Sequence, residues 1–355
     1  FGLKWKSGDT RPAEAKQTTK FINHLKPKTT MTYLENSKQY TGSDLENIFF
    51  RPMLTGESAQ DLGVRVLYNM PQPTHVQLWD GQRNILQKFT SAGWAGGKAA
   101  TKYEKTVNLN RVKAELGFSA ANYFSMVYEK VSSLVNTHMD DLSGTELEQA
   151  ETALFKQALA ENIRVTMWIG DTSAASGYNT FDGLLKRING LVDDDGVYNF
   201  SYQAAALEDP AYVVELFDKL WAGADPRIPG LKADDRLAYF VSSDIYRLYE
   251  KYLDAKGADA AYADAMNGRR TLAYHGIPVV DVRLGSYLGA TSFRQSFVML
   301  TDRRNLVLAV NTADMPGNEV RMWYNPDEME NRQRAVFMAG TQILDEALIS
   351  FAYKQ

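Results

Sequence analysis

Four histidines, at positions 24, 75, 138 and 275, and no cysteine bound the chemistry open to this chain of 355 residues. No two histidines stand three or four residues apart, so none pair on one helix face to seed a metal site. Without thiolates there are no disulfides, zinc ribbons, iron–sulfur ligands or cysteine nucleophiles. Three other stretches invite a test. Gly97-Lys98 has the Gly-Lys of a phosphate loop, but Ala92 stands where that loop needs its first glycine and Ala99 where it needs a hydroxyl. Asp193-Asp194-Asp195-Gly196 looks like a calcium loop, yet a glycine in sixth place requires an oxygen ligand where Leu191 stands. Asp195-Gly196 instead suits a type I′ hairpin turn. The stretch from Gly170 to Gly177 (GDTSAASG) does not spell a serine-hydrolase elbow. His-Glu-x-x-His and Gly-x-Gly-x-x-Gly are absent, and His275, beside Gly276 ahead of a strand, reads as a structural or surface residue. What remains for catalysis is a pair of convergent carboxylates among 43 acidic residues, a weak basis for an enzyme.

The elements that would position any site are easier to read. Residues 1–41 carry scattered apolar groups without a sustained period, as an extended arm does. Ser43 and Glu46 then form a capping box for a short helix, disturbed at Pro52 and stopped by Gly56. Residues 64–70 and 75–79 alternate apolar and polar, 91–101 are small and glycine-rich, and 103–112 alternate again. This is a two-stranded excursion with a soft tip, and it needs a surface to lie on.

Ser143 and Glu146 open the clearest helix, 143–169, a rod of roughly 37 Å ended by Gly170. A short helix begins in the 178–200 region, and Asp209-Pro210 opens another to about Ala222. Residues 236–242 read as a buried strand, with Ser243 capping a helix that runs to Gly257. Residues 277–282 and 297–310 are strand-like, and 332–353 read as one or two long strands whose first half could also be helical.

A hydrophobic fraction of 45% and 41 aromatic residues exclude a disordered chain. No apolar run approaches the roughly 18 residues of a membrane span, and residues 1–41 show no signal-type apolar core. The net charge of −4 conceals a split. Residues 1–41 hold eight basic and three acidic groups, a balance of +5. Residues 64–106 hold six and two, a balance of +4, which leaves −13 on the remainder. Two basic extensions and an acidic body are complementary, and the mild overall acidity argues against a whole-chain nucleic-acid binder. An arm with few local contacts cannot offset an ordering entropy of about 1–2 kcal/mol per residue alone, so neighbours must supply contacts.

The order of parts is basic arm, short helix, long ribbon, long helix, compact α/β region and returning strands. It resembles the major capsid proteins of tailed double-stranded DNA bacteriophages, the Hong Kong ninety-seven fold family. RLAYFVSSDIYRLYEKYLDAK (Arg236 to Lys256) is similar to the family's strand–helix unit of the axial domain. Gly276-Ile277-Pro278-Val279-Val280 is similar to its strand entry, GLLKRING (Gly183 to Gly190) to the opening of that domain, and Arg334 to Tyr353 to the last peripheral strands.

The resemblance implies an α+β fold with an N-terminal arm (1–42) and a peripheral domain (43–63 and 107–177) holding the spine helix 143–169. An extended E-loop (64–106), an axial domain (178–296) and return strands (297–355) complete it. It further implies a self-assembling icosahedral shell of pentamers and hexamers enclosing packaged double-stranded DNA, located in the virion and assembled in the host bacterial cytoplasm. Portal, scaffold or maturation protease and decoration proteins would be partners, and no membrane, cofactor, metal or catalytic residue is implied. The start at Phe1 is similar to the product of a maturation protease, and a trimmed chain would look the same. Candidate inter-subunit contacts are Trp5, Phe21 and Lys26 on the arm, and Lys88, Trp94, Lys98 and Lys102 on the ribbon. Two other readings are an encapsulin-like nanocompartment shell, which shares the fold, and a carboxylate-dependent hydrolase, which requires a deep cleft with a strongly perturbed acid.

Overall fold

The computed structural model describes residues 38–40, 63–69, 74–79, 102–119, 146–256, 262–263, 271–289, 293–311, 319–325, 327–328 and 330–355. Two sheets and a ribbon organise them. The axial sheet has seven strands in the order β6 (Tyr198–Tyr202), β15 (Ser350–Lys354), β11 (Phe297–Asp302), β7 (Leu237–Val241), β10 (Ile277–Asp281), β9 (Thr271–Tyr274), β8 (Tyr262–Ala263). β7 and β11 are buried along their whole length. Their odd and even residues enter different cores. Tyr239, Val241, Val298 and Leu300 pack with α3 (Tyr212–Ala222) and α5 (Ser243–Ala255), whereas Ala238, Phe240, Phe297 and Met299 pack with Trp168 and Leu185. A strand covered on both faces reads as an unbroken apolar run, which is why residues 236–242 are legible from sequence.

The peripheral sheet runs β1 (Lys38–Tyr40), β13 (Glu319–Asn325), β14 (Glu330–Ile343), β12 (Leu306–Asn311), β2 (Arg65–Tyr68), with β5 (Asn110–Ser119) on the other side of β14. β14 is its 14-residue beam and settles the 332–353 region as two strands, β14 and β15. Its burial alternates strictly over its first ten residues, so this stretch is packed on one face only, whereas β12 is buried on both.

The long helix, α1, spans Glu146–Ile169; the Ser143 of its expected capping box lies outside the described residues. Its middle exposes Ala153, Gln157 and Asn162, but every residue from Ile163 to Ile169 is buried. The helix therefore starts as an amphipathic spine and ends as a plug in the core. α2 (Leu184–Asp193) follows with a buried face of Leu184, Leu185, Ile188 and Val192.

Several local expectations shift. Asp195-Gly196 is not a hairpin turn. Asp195 takes φ 53° and Gly196 N donates to Leu191 O at 2.8 Å, a Schellman-type close of α2, and β6 then pairs in parallel with β15. Ser242, not Ser243, stands at the N-cap of α5, and that helix ends at Ala255. Asp209 accepts from Ala211 N at 2.9 Å, one turn ahead of α3. The real hairpin turn is His275-Gly276, with φ 49° and 79°, joining β9 to β10 at the pair Tyr274–Ile277.

Candidate functional site

No group of three or more His, Cys, Asp or Glu stands close enough to hold a metal among the described residues. Among the described residues, the carboxylates that leave their ordinary range all move down. Hydrogen bonds from Arg164 hold Glu161 low, with help from Tyr287. Lys186 does the same for Asp171. Burial pushes Asp182 up, but hydrogen bonds from Lys186 and Thr172 outweigh it. A general acid needs the opposite shift. A groove of about 510 Å³ between α1 and β5 is lined mainly by apolar groups such as Val112, Leu116, Phe155, Leu159 and Ile163. These observations turn attention from clefts to surfaces.

The ribbon is a separate two-stranded sheet, β3 (Thr74–Trp79) and β4 (Lys102–Val107), in register from Thr74–Val107 to Trp79–Lys102. The paired ribbon is thus shorter than expected: residues 65–68 join β12 in the peripheral sheet as β2, and the return strand continues past residues 108–109 as β5. Its base is bolted to the body. Val76, Val107 and Leu109 are buried against Val307, Ala309 and Leu344. Gln342 Nε2 donates to Thr106 O at 2.8 Å, and Lys105 Nζ meets Glu346 Oε1 at 2.5 Å. The chain crosses so closely that a Cβ on Gly340 would lie 2.2 Å from Asn108 O, a space open only to glycine. Lys102 ends the described part of β4, opposite Trp79. The other sequence-based contact candidates, Trp5, Phe21, Lys26, Lys88, Trp94 and Lys98, lie outside the described residues.

The outward face of the peripheral sheet was not singled out by sequence reasoning. Register places Arg321, Arg334 and Glu115 in one row across β13, β14 and β5, and Trp323 beside Arg332 in the next. Arg334 reaches Glu319 at 2.6 Å and lies 5.8 Å from the Trp323 ring centre. Arg332 pairs with Glu328 and, at 3.4 Å, with Glu330. The three arginines are about one-third open, so they form a flat ladder of charge and aromatic surface on the uncovered side of β14. Alternation in ENRQRAVFM (330–338) was the available signal: every second residue is polar or charged.

Two clamps join the halves. Arg164, 7% exposed, grips Glu161 through two bonds of 2.7 and 3.0 Å and donates from Nη1 to Val282 O at 2.8 Å. It ties the spine helix to the turn after β10, whose Arg283 takes φ 52°. The second clamp lies where the chain crosses between sheets twice, at 303–305 and 344–348. Asn305 Nδ2 donates to Asp345 O at 2.8 Å, and Asp345 N returns to Asn305 Oδ1 at 2.7 Å. Arg227 adds an ion pair to Asp345 at 2.7 Å.

The comparisons with known proteins bear on this arrangement. Neither a protein-family profile nor a curated protein matches the sequence. Among solved structures, a chain of the satellite phage P4 procapsid, determined with its size determination (Sid) protein, aligns over 96% of this chain and 98% of its own length. Its TM-score is 0.52 and its identity 11%. The chain has the Hong Kong ninety-seven-type capsid fold. Chains of Gordonia phage Cozz (84% and 86% covered, 12% identity, TM-score 0.44) and of the native GTA particle capsid (85% and 91%, 13%, 0.43) are also similar.

Proposed function

We propose that this chain is a tailed-phage major capsid protein. It assembles as pentamers and hexamers into an icosahedral shell around packaged double-stranded DNA. One observation carries the reading: a chain of a phage procapsid shares this fold over 96% of this chain and 98% of its own length. The open charged face of the peripheral sheet supports it. Arginines about one-third open on adjacent strands suit contact with another subunit, since Arg and Trp are enriched at interfaces. The division is an arm (1–42), a peripheral domain (43–63 and 107–177), an E-loop (64–106), an axial domain (178–296) and return strands (297–355). Trp5, Phe21 and Lys26 on the arm and Lys88, Trp94, Lys98 and Lys102 on the ribbon are the proposed neighbour contacts. Scaffold or maturation protease, portal and decoration proteins are the proposed partners, with the virion as location and the host bacterial cytoplasm as the place of assembly.

Expression of the chain, followed by sedimentation and negative-stain electron microscopy, tests this. Closed shells or their five- and six-membered rings are expected. A compact monomer under every assembly condition would sink the reading, and shells loaded with protein cargo and free of DNA during infection would favour a nanocompartment. Exposed ion pairs between basic extensions and acidic body are screened beyond about 8–10 Å, so the shell is expected to loosen as salt rises. Indifference to salt would give that role to apolar contacts.

A further inference from the structure

A cavity of about 300 Å³ lies in the axial half, beside the turn from β9 to β10 and between the end of α3 and α4 (Ile228–Ala233). Buried Tyr239 and Ile277 form its floor, and half-buried Trp221 and Tyr274 its walls. Tyr239 OH donates to Phe217 O at 3.4 Å, so the floor offers ring and aliphatic surface. Asp218, Lys232 and His275 stand exposed on the rim.

The rim groups are held in place but not used up. Tyr274 OH donates to Asp218 Oδ1 at 2.7 Å, which fixes the carboxylate and leaves Oδ2 as an acceptor. Lys232 Nζ sits 5.4 Å from the Trp221 ring centre, and no carboxylate among the described residues pairs with it. His275 leads the β9–β10 turn at φ 49°, a left-handed conformation in which glycine or asparagine is the unstrained choice. An imidazole held there, its ring centre 4.3 Å from that of Tyr274, points to a side chain kept for its chemistry.

These groups narrow the ligand. A cation would meet Lys232 and an anion Asp218, so a rim with one full charge of each sign suits a neutral molecule. A flat aromatic molecule would stack on the walls but leave carboxylate, ammonium and imidazole unpaired. A sugar ring satisfies both parts. Its polarised C–H bonds pack on the electron-rich faces of Trp and Tyr rings. Its hydroxyls both donate and accept, so one can donate to Asp218 while another accepts from Lys232. The volume is at the lower end for small-ligand pockets, which fits one ring.

We infer that this pocket is a low-affinity site for a neutral pyranose, stacked on Trp221 and Tyr274 and hydrogen-bonded by Asp218, Lys232 and His275. The site goes beyond the shell reading and does not depend on it. Saturation-transfer NMR on the full chain, in whichever assembled form it purifies, is the test. The probes are the methyl glycosides of glucose, galactose, mannose and N-acetylglucosamine. Inorganic phosphate, choline and phenol stand for an anion, a cation and a flat ring. At least one glycoside is expected to bind, with saturation strongest on the C–H bonds of one face of its ring. Asp218→Asn keeps an acceptor for Tyr274 and removes the carboxylate from the sugar. It and Lys232→Met are each expected to weaken binding about tenfold, the loss of one charge-assisted hydrogen bond, with the thermal melt unchanged. Trp221→Leu is expected to abolish the one-face pattern. No glycoside signal from the folded wild-type chain would overturn the inference. So would phosphate, choline or phenol binding in place of every glycoside, or glycoside binding that survives all three variants.

Discussion

The axial and peripheral sheets solve the same problem in opposite ways. The axial sheet is covered on both faces, with β7, β11 and their helices forming two continuous cores. The peripheral sheet is covered on both faces only at β12, where the ribbon base packs, and on one face along the first ten residues of β14. Its inner face even buries Gln333, 1% exposed, whose side-chain nitrogen and oxygen have no hydrogen-bond partner among the described residues. Its outer face spreads Arg321, Arg332 and Arg334 beside Trp323. The axial half is complete within one chain, whereas the peripheral half keeps binding surface in reserve. On the proposed shell reading, that division separates folding from assembly.

If the axial half is the self-sufficient one, damage there should cost most in the isolated chain. Phe217 is fully buried and touches the rings of Tyr239, Tyr249 and Tyr274. Phe217→Ala is expected to lose about 3–5 kcal/mol in denaturant unfolding, and a loss below about 1 kcal/mol would break the comparison. Arg164→Ala comes next, at about 1–3 kcal/mol, because it leaves the Val282 carbonyl without this buried donor and Glu161 with Tyr287 as its remaining side-chain donor.

Gly340→Ala acts on the ribbon base. Its new methyl meets Asn108 O, so a loss of about 1–3 kcal/mol is expected, with faster proteolysis of residues 74–107 and axial strands left intact. Acid gives a smaller effect. Asp171 and Asp182 are held below their ordinary range in the fold. Their contribution is therefore present above the ordinary carboxylate range and is lost as pH falls through the lowered values. In these partly exposed pairs it amounts to about 1 kcal/mol. Thermal melts of Lys186→Met are expected to fall less steeply between neutral pH and pH 3 than those of the wild type. Gln333→Leu is the smallest and runs the other way: neutral or up to about 1 kcal/mol more stable, since it removes a buried unpaired amide. A clear loss would mean that Gln333 has partners outside the described residues.

Much of the fold was legible because burial on two faces or alternation on one writes itself into neighbouring residues. The runs of β7, β11 and β12, the ribbon strands and the α1 stripe are of that kind. What escaped depends on distant partners. Asn305 and Asp345 are 40 residues apart and read as ordinary loop polar groups. Arg164 looks like a surface charge on an amphipathic helix and is instead buried where that helix becomes a plug. Asp195-Gly196 suits a hairpin equally well, and only the parallel pairing of β6 decides against it. The charged ladder on β13 and β14 needed register between strands, which no local pattern supplies.

The account stands on the claim that the peripheral half is finished by neighbours in a closed shell. A cryo-electron microscopy reconstruction of particles grown from this chain tests it most directly. The expected result is an icosahedral shell of five- and six-membered rings, with protein from an adjacent subunit lying over Arg321, Trp323, Arg332 and Arg334. Particles in which that face looks into open solvent, or a preparation that yields only monomers, would contradict it.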